Sequence, residues 1–298
     1  MIDLAELGLG PRRFLAARRR ELAALEFERI RVTPRAPALG AEIAGVDLRE
    51  PLDARALEEV ERALHEFKVI FFRGQDVTLE QQAAFARGFG ELEEHPFLPS
   101  PDGQPRVIRF AKDEATVGVE NVWHSDVSWR EVPSLGSVLR ARSVPELGGD
   151  TLWADMEAAY QGLGDELKEK IEGAVAVHDF VNSFGLGLPP EKREAMREEY
   201  PPAEHPVVRT HPATGRRCLY VNAIFTSHVK GLPPEESDDL LRTLYRQAAV
   251  PEYQVHFRWT PNSIAFWDNR STQHYATNDY WPQERVMDRV TIIGDRPC

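Results

Sequence analysis

His124 and Asp126 stand two residues apart in the run Asn121-Val-Trp-His-Ser-Asp-Val-Ser-Trp129. Their neighbours Val122, Trp123, Val127 and Trp129 favour strands. In a strand the side chains of residues i and i+2 emerge on one face. An imidazole nitrogen and a carboxylate oxygen are therefore expected to point at one spot, which suits a divalent metal. His-x-Asp also arises by chance, so a metal reading needs a third ligand. Whichever residue supplies it, the fold has to carry it to this stretch.

Of the nine histidines, His274 is the best placed. It follows Ile264-Ala-Phe-Trp-Asp-Asn-Arg-Ser-Thr-Gln, an apolar strand and then a turn. Two histidines and one carboxylate on one side of a metal leave three adjacent positions open, the arrangement of non-haem Fe(II) oxygenases. Two of those positions suit a chelating co-substrate and one suits dioxygen. A structural zinc site is closed by four protein ligands and usually includes thiolate. Cys218 and Cys298 are the only cysteines, so that alternative is weak. His65 falls on the polar side of a helical stretch and reads as a solvated bystander.

Arg285 and Arg289 lie eleven and fifteen residues after His274. If they share a strand, both guanidiniums point to one face, about 13 Å apart at ~3.3 Å per residue. Each is a planar fork of donors matched to carboxylate, phosphate or sulfonate. Two such forks suit two different anions. The plainer alternative is a pair of surface arginines bound to Glu284 and Asp288.

The rest of the chain is that of an ordinary globular protein: 298 residues, 42% hydrophobic and 28% charged. A net charge of −12 argues against a broad nucleic-acid or anionic-membrane surface, though not against a local anion pocket. The two cysteines make no disulfide framework, and no apolar leader or membrane-length run stands out, so a cytoplasmic location is expected. Residues 1–28 read as a basic amphipathic helix, a kind of segment that can lie on a membrane but more often packs on its own domain or on a neighbouring subunit. Strands are then suggested near 29–49, 107–110, 137–141, 205–209, 217–222, 254–259, 263–267 and 286–293, with a short buried strand at 69–72 and a tight turn entering a strand over 148–153. Helices are expected after Asp53, after the Thr78/Gln81 capping box, around 155–172 and over 234–248. Residues 185–204 are polar and rich in Pro and Glu, which suggests a surface excursion or lid.

Taken together, His124-x-Asp126, Gly148-Gly-Asp-Thr151, Trp267-Asp-Asn-Arg-x-Thr-Gln-His274-Tyr and Arg285-x-x-x-Arg289 resemble the taurine dioxygenase family. Those are Fe(II)- and 2-oxoglutarate-dependent oxygenases that include alkylsulfatases and herbicide-degrading enzymes. The resemblance covers roughly residues 29 to 297. It implies a mainly β fold with inserted helices around a double-stranded β-helix (jelly-roll, cupin-like) core, with a dioxygenase domain over 29–298 and a helical extension over 1–28.

It also implies that His124, Asp126 and His274 bind Fe(II), with 2-oxoglutarate and O2 as co-substrates. Arg285 and the Thr151 hydroxyl would meet the far carboxylate of 2-oxoglutarate. His95 and Arg289 would grip a small anionic substrate, with Val127 beside it and Phe225 in the pocket wall. Members of the family commonly associate, so a homo-oligomer is expected. Taurine-type members carry tyrosine where this chain has Leu98 and asparagine where it has Glu120. A more apolar sulfonate or an alkyl sulfate ester therefore suits the chain better than taurine, with hydroxylation releasing succinate and CO2. The alternatives are the same mechanism on a carboxylate, amino acid or secondary metabolite, or a non-catalytic protein that binds 2-oxoglutarate or another anion.

Overall fold

The computed structural model describes residues 11–94, 100, 101, 103–116, 118 and 120–298. Helix α1 (Arg13–Ala23) precedes an antiparallel pair, β1 (Arg31–Pro34) and β2 (Ala41–Ala44). Helix α2 (Ala54–Phe67) opens at Asp53, whose carboxylate accepts from Ala56 N at 2.8 Å. Val60, Leu64 and Phe67 form its buried stripe. It closes at Lys68, which turns left-handed (φ 64) and leads straight into β3 (Val69–Phe72). The capping box at Thr78 and Gln81 starts α3 (Leu79–Arg87).

Strands β4 (Ile108–Lys112), β5 (Ser134–Ser143) and β6 (Thr151–Asp155) follow. Then come α4 (Met156–Gln161), α5 (Asp165–Ile171), β7 (Val175–His178), α6 (Val181–Phe184) and α7 (Pro190–Glu199). Short strands β8 (Ala203–Pro206), β9 (Val208–Thr210), β10 (Arg217–Leu219) and β11 (Thr226–Val229) lead to α8 (Pro234–Tyr245). The chain closes with β12 (Gln254–Phe257), β13 (Ile264–Asp268), β14 (Thr272–Ala276) and β15 (Arg285–Ile293).

Seven strands form one sheet in the order β1-β2-β3-β13-β5-β15-β4, and three form a second in the order β12-β6-β14. The period of two decides what lies between them. Val69, Phe71, Leu139, Ala141, Ala265, Trp267 and Met287 of the large sheet pack against Trp153, Val255, Phe257 and Trp259 of the small one. The alternate residues Ile70, Phe72, Val138, Phe266, Val290 and Ile292 face α2 and α3 instead. This is the jelly-roll core with helices outside. On β15 the interior positions are odd-numbered, so Arg285 and Arg289 project into the sandwich on either side of Met287.

Helix α1 packs on its own domain. Leu22 joins the cluster under α2 and Leu15 the cluster around α4 and α8. Arg18 donates to both the backbone and the carboxylate of Glu66 at 2.6 Å. Several elements depart from the sequence expectation. Helix α7 was not foreseen because it buries no residue and so shows no apolar stripe. Strands β7 and β11, four residues each, are too short to carry a clear alternation. Residues 124–126 do not form a strand: His124 makes a single antiparallel bridge to His274, and the chain turns at Asp126.

Candidate active site

That bridge brings the distant histidines together. His124 N donates to His274 O at 3.1 Å and His274 N to His124 O at 2.8 Å, leaving the two rings 4.2 Å apart. The following turn swings the Asp126 carboxylate towards them, with Oδ1 3.8 Å from His124 Nε2 and 3.9 Å from His274 Nε2. The three ligand atoms lie within 4.8 Å of one another, and no other such group occurs among the described residues.

The donor chemistry suits a metal. Val122 O, 2.9 Å from His124 Nδ1, takes that ring proton and leaves Nε2 as the coordinating atom. Burial, with His124 beside it, pushes the His274 imidazole down to about 3, so its nitrogen is a free lone pair. Burial alone would raise the Asp126 carboxyl. Arg289, His274 and His124 more than offset this and hold it at about 2, so it is ionised. Two imidazoles and a carboxylate, with no thiolate among them, make an open site suited to Fe(II).

Asn269, missed in the sequence, holds this geometry. Its Oδ1 accepts from Asp126 N at 2.8 Å and its Nδ2 donates to Asp126 O at 2.9 Å. Nδ2 also reaches Ser134 Oγ at 3.1 Å, so the ligand loop is tied to β5. Its neighbour Asp268 is fully buried and accepts from Arg270 Nε and Nη2 at 2.9 and 2.7 Å and from His211 Nε2 at 2.9 Å. His65 is no solvated bystander. It is half-buried and accepts from Arg270 Nη2 at 3.2 Å, because α2 packs over this turn.

The two arginines differ in their company. Arg289 Nη1 lies 3.0 Å from Asp126 Oδ1, its guanidinium stacks over Phe110 at 4.9 Å, and its buried Nε has no partner. Arg285 is only 7% exposed, yet among the described residues it takes part in no ion pair. Its partners are neutral: Gly149 O at 2.9 Å and Thr151 Oγ1 at 3.4 Å. Burial pushes its guanidinium below the usual arginine value. Neither arginine is the surface residue of the plainer alternative, and Asp288 faces away to bind Arg109 at 2.7 Å. A buried guanidinium with no carboxylate in direct contact among the described residues is suited to receive an anion.

Residues 31–291 match the family model described as taurine catabolism dioxygenase TauD, TfdA family. The chain belongs to the TauD/TfdA family. It is thus a 2-oxoglutarate-dependent non-haem iron dioxygenase that uses Fe(II), 2-oxoglutarate and O2. It is 39% identical over 282 residues to an alpha-ketoglutarate-dependent sulfate ester dioxygenase of Pseudomonas putida, covering 92% of each chain. It is 38% identical over 267 residues to an alkylsulfatase of Acinetobacter baylyi, covering 86% of this chain and 83% of that one. A taurine dioxygenase from Burkholderia xenovorans superposes with a TM-score of 0.78 at 37% identity, covering 91% of this chain and 93% of that one.

Of the residues that the family resemblance singled out, the fold gathers His124, Asp126, His274, Thr151, Arg285 and Arg289 at one end of the sandwich. Val127 and Phe225 meet in one apolar cluster with Trp129 and Phe180, next in the chain to Asp126. Val127 has φ 45, a conformation that costs a β-branched residue energy and that recurs at functional sites. His95 and Leu98 lie outside the described residues. Glu120 forms a 3.1 Å ion pair with Lys112 at the pocket wall, a partner the sequence did not suggest. The β-ladder sets Lys112 opposite Arg285, a pairing of distant strands.

Proposed function

We propose that this enzyme hydroxylates a small organic monoanion, a sulfonate or an alkyl sulfate ester. In this reading His124 Nε2, Asp126 Oδ1 and His274 Nε2 hold the iron. Arg285 and the Thr151 hydroxyl take the far carboxylate of 2-oxoglutarate. Arg289 takes the substrate's anion, with His95 as its partner, and Val127 and Phe225 wall the apolar part. Bound iron, 2-oxoglutarate and O2 supply the oxidant for the C–H bond, and 2-oxoglutarate leaves as succinate and CO2.

The observation that carries the substrate class is charge. Among the described residues, Lys112, Arg285 and Arg289 face Glu120 and Asp126, a surplus of one positive charge. Metal-bound histidines are neutral. Fe(II) adds two positive charges and 2-oxoglutarate removes two, so one remains for a monoanion to neutralise. A zwitterion such as taurine leaves that charge standing in a low-dielectric pocket. The sulfate ester dioxygenase and alkylsulfatase relatives support the same class. With a sulfate ester, hydroxylation at the carbon bearing the ester oxygen gives a product that collapses to aldehyde and hydrogen sulfate.

The protein's share of the work is positional. Asn269 fixes the Asp126 backbone, and the β14 bridge fixes the separation of the histidines. The aromatic wall beyond Val127 keeps water from the target carbon. A succinate assay with Fe(II) and O2 across alkyl sulfates, sulfonates, carboxylates and taurine tests the reading. We expect turnover of monoanionic sulfates or sulfonates and little of taurine. Faster turnover of taurine than of every monoanion would sink it, and the absence of succinate with all of them would favour a binding protein.

We further assign residues 29–298 to the dioxygenase domain and residues 1–28 to an extension. A cytoplasmic homo-oligomer completes the reading; no described helix is long and apolar enough to cross a membrane. Sedimentation tests the oligomer, and a monomer at micromolar concentration would exclude it.

A further inference from the structure

The oxygen of Thr151 is already fully used as an acceptor. Trp259 Nε1 donates to Thr151 Oγ1 at 3.0 Å, and Arg285 Nη2 donates to the same atom at 3.4 Å. A threonine hydroxyl has two acceptor lone pairs and one proton. With both lone pairs occupied, the proton is directed away from the two donors, and no described residue accepts it.

Trp259 holds its indole firmly. It is 4% exposed and packs edge-to-face on Phe257 at 5.0 Å and beside Trp153 at 6.4 Å. Phe257 on β12 is the ladder partner of Thr151 on β6, so the strand paired with the one that carries Thr151 delivers Trp259 just past its end. The contrast with other tryptophans is informative. The N–H groups of Trp129, Trp153 and Trp267 are buried without a partner, which marks those side chains as packing residues. Trp259 places its single donor on a residue of the anion site.

We propose that Trp259 is a positioning residue for the co-substrate, forcing the Thr151 hydroxyl to act as a donor only. Thr151 and Arg285 then present hydrogens and no lone pair, a surface that accepts an ionised carboxylate and rejects an amide or a methyl group. This rests on the reading in which that pair holds the far carboxylate of 2-oxoglutarate.

Anaerobic calorimetric titration of the Fe(II)-loaded protein with 2-oxoglutarate tests it. Trp259→Phe, which keeps the packing and removes the N–H, is expected to weaken binding about fivefold. Thr151→Val is expected to weaken it by at least as much, and the double variant no further than Thr151→Val alone. Trp259→His, which retains an N–H, is expected to recover part of the loss. 2-Oxopentanoate, with a methyl group in place of the far carboxylate, is expected to bind all of these proteins alike.

A Trp259→Phe loss of equal size with and without Thr151→Val overturns the proposal, since it would report packing alone. No loss in Trp259→Phe, with a loss in Thr151→Val, overturns the proposal and leaves the co-substrate reading standing. No loss in either removes both. Thr151→Ser, which keeps the hydroxyl, covers the case in which Trp259→Phe does not fold. It is expected to bind 2-oxoglutarate as the parent does, and a loss as large as that of Thr151→Val overturns the donor role.

Discussion

Arg285 keeps its guanidinium inside the sandwich against Gly149 O and Thr151 Oγ1, with no carboxylate in contact with it among the described residues. A charge held this way lowers the stability of the empty protein and becomes favourable when an anion arrives. Arg285→Met is therefore expected to leave the melting temperature of the ligand-free protein unchanged or higher while abolishing its rise with 2-oxoglutarate. Differential scanning fluorimetry with and without the co-substrate checks both halves. Charge-assisted hydrogen bonds contribute about 1.5–3 kcal/mol, so Arg285→Ala should weaken 2-oxoglutarate by roughly tenfold to a hundredfold. Arg289→Ala should instead weaken the prime substrate by a similar factor; equal effects on co-substrate affinity would refute this division. Asn269 acts one step further from the metal. Because partners of metal ligands typically contribute about tenfold to a hundredfold in affinity, Asn269→Ala should weaken Fe(II) binding within that range with all three ligands intact.

The β13–β14 turn is the element on which the site depends, since it runs from the interior Trp267 to His274. Two buried ionic groups hold it. Lys68 Nζ, at the end of α2, lies 3.0 Å from Asp155 and 3.2 Å from Glu157, and its carbonyl accepts from Asp268 N at 2.8 Å. Burial would lower the lysine pKa, but the two carboxylates raise it on balance and keep it charged. Lys68→Met strands those carboxylates and should cost about 3–5 kcal/mol in a denaturant titration.

The second group is Asp268, faced by Arg270 and His211 in its own cluster, with His65 from α2 and Asp295 of the C-terminal tail on Arg270. Burial raises its carboxyl, but Arg270 and His211 outweigh that and hold it below the usual range. A depressed native value contributes stability that is complete above the unfolded value of about 4 and is lost as pH falls through the native one. Asp268→Asn should be less stable at neutral pH, and its stability should fall less steeply below pH ~4. An acid limb as steep as the parent's would contradict this.

Across the whole molecule, α1 joins the two outer apolar clusters through Leu15 and Leu22, and Arg18 binds Glu66, which also meets Arg216 at 2.9 Å. Removing residues 1–28 should therefore cost roughly 3–6 kcal/mol of stability, at ~1.5–3 kcal/mol per buried leucine. The shortened chain should still bind 2-oxoglutarate, because every residue of the anion site lies on the β-sandwich. Loss of that binding in a folded truncation would move the domain boundary.

Much of this was readable in the chain. A short buried apolar run announced β3, alternating runs announced β13 and β15, the capping box announced α3, and the order of His124, Asp126, His274, Arg285 and Arg289 identified the chemistry. Those features are local or repeat at fixed spacing, so sequence alone determines them. Tertiary structure decided the rest. The His124 bridge replaced an expected strand because its partner lies 150 residues away in sequence. Helix α7 fully buries no residue, and its contacts, Met196 on the apolar cluster and Arg197 on Asp179, leave no apolar stripe to read. Burial and counter-charge belong to the folded molecule, and only there did Arg285 emerge as a cation without an anion. Asn269, Lys112 and Trp259 look like ordinary residues in one dimension. They join the site because folding sets each beside a group that is distant along the chain.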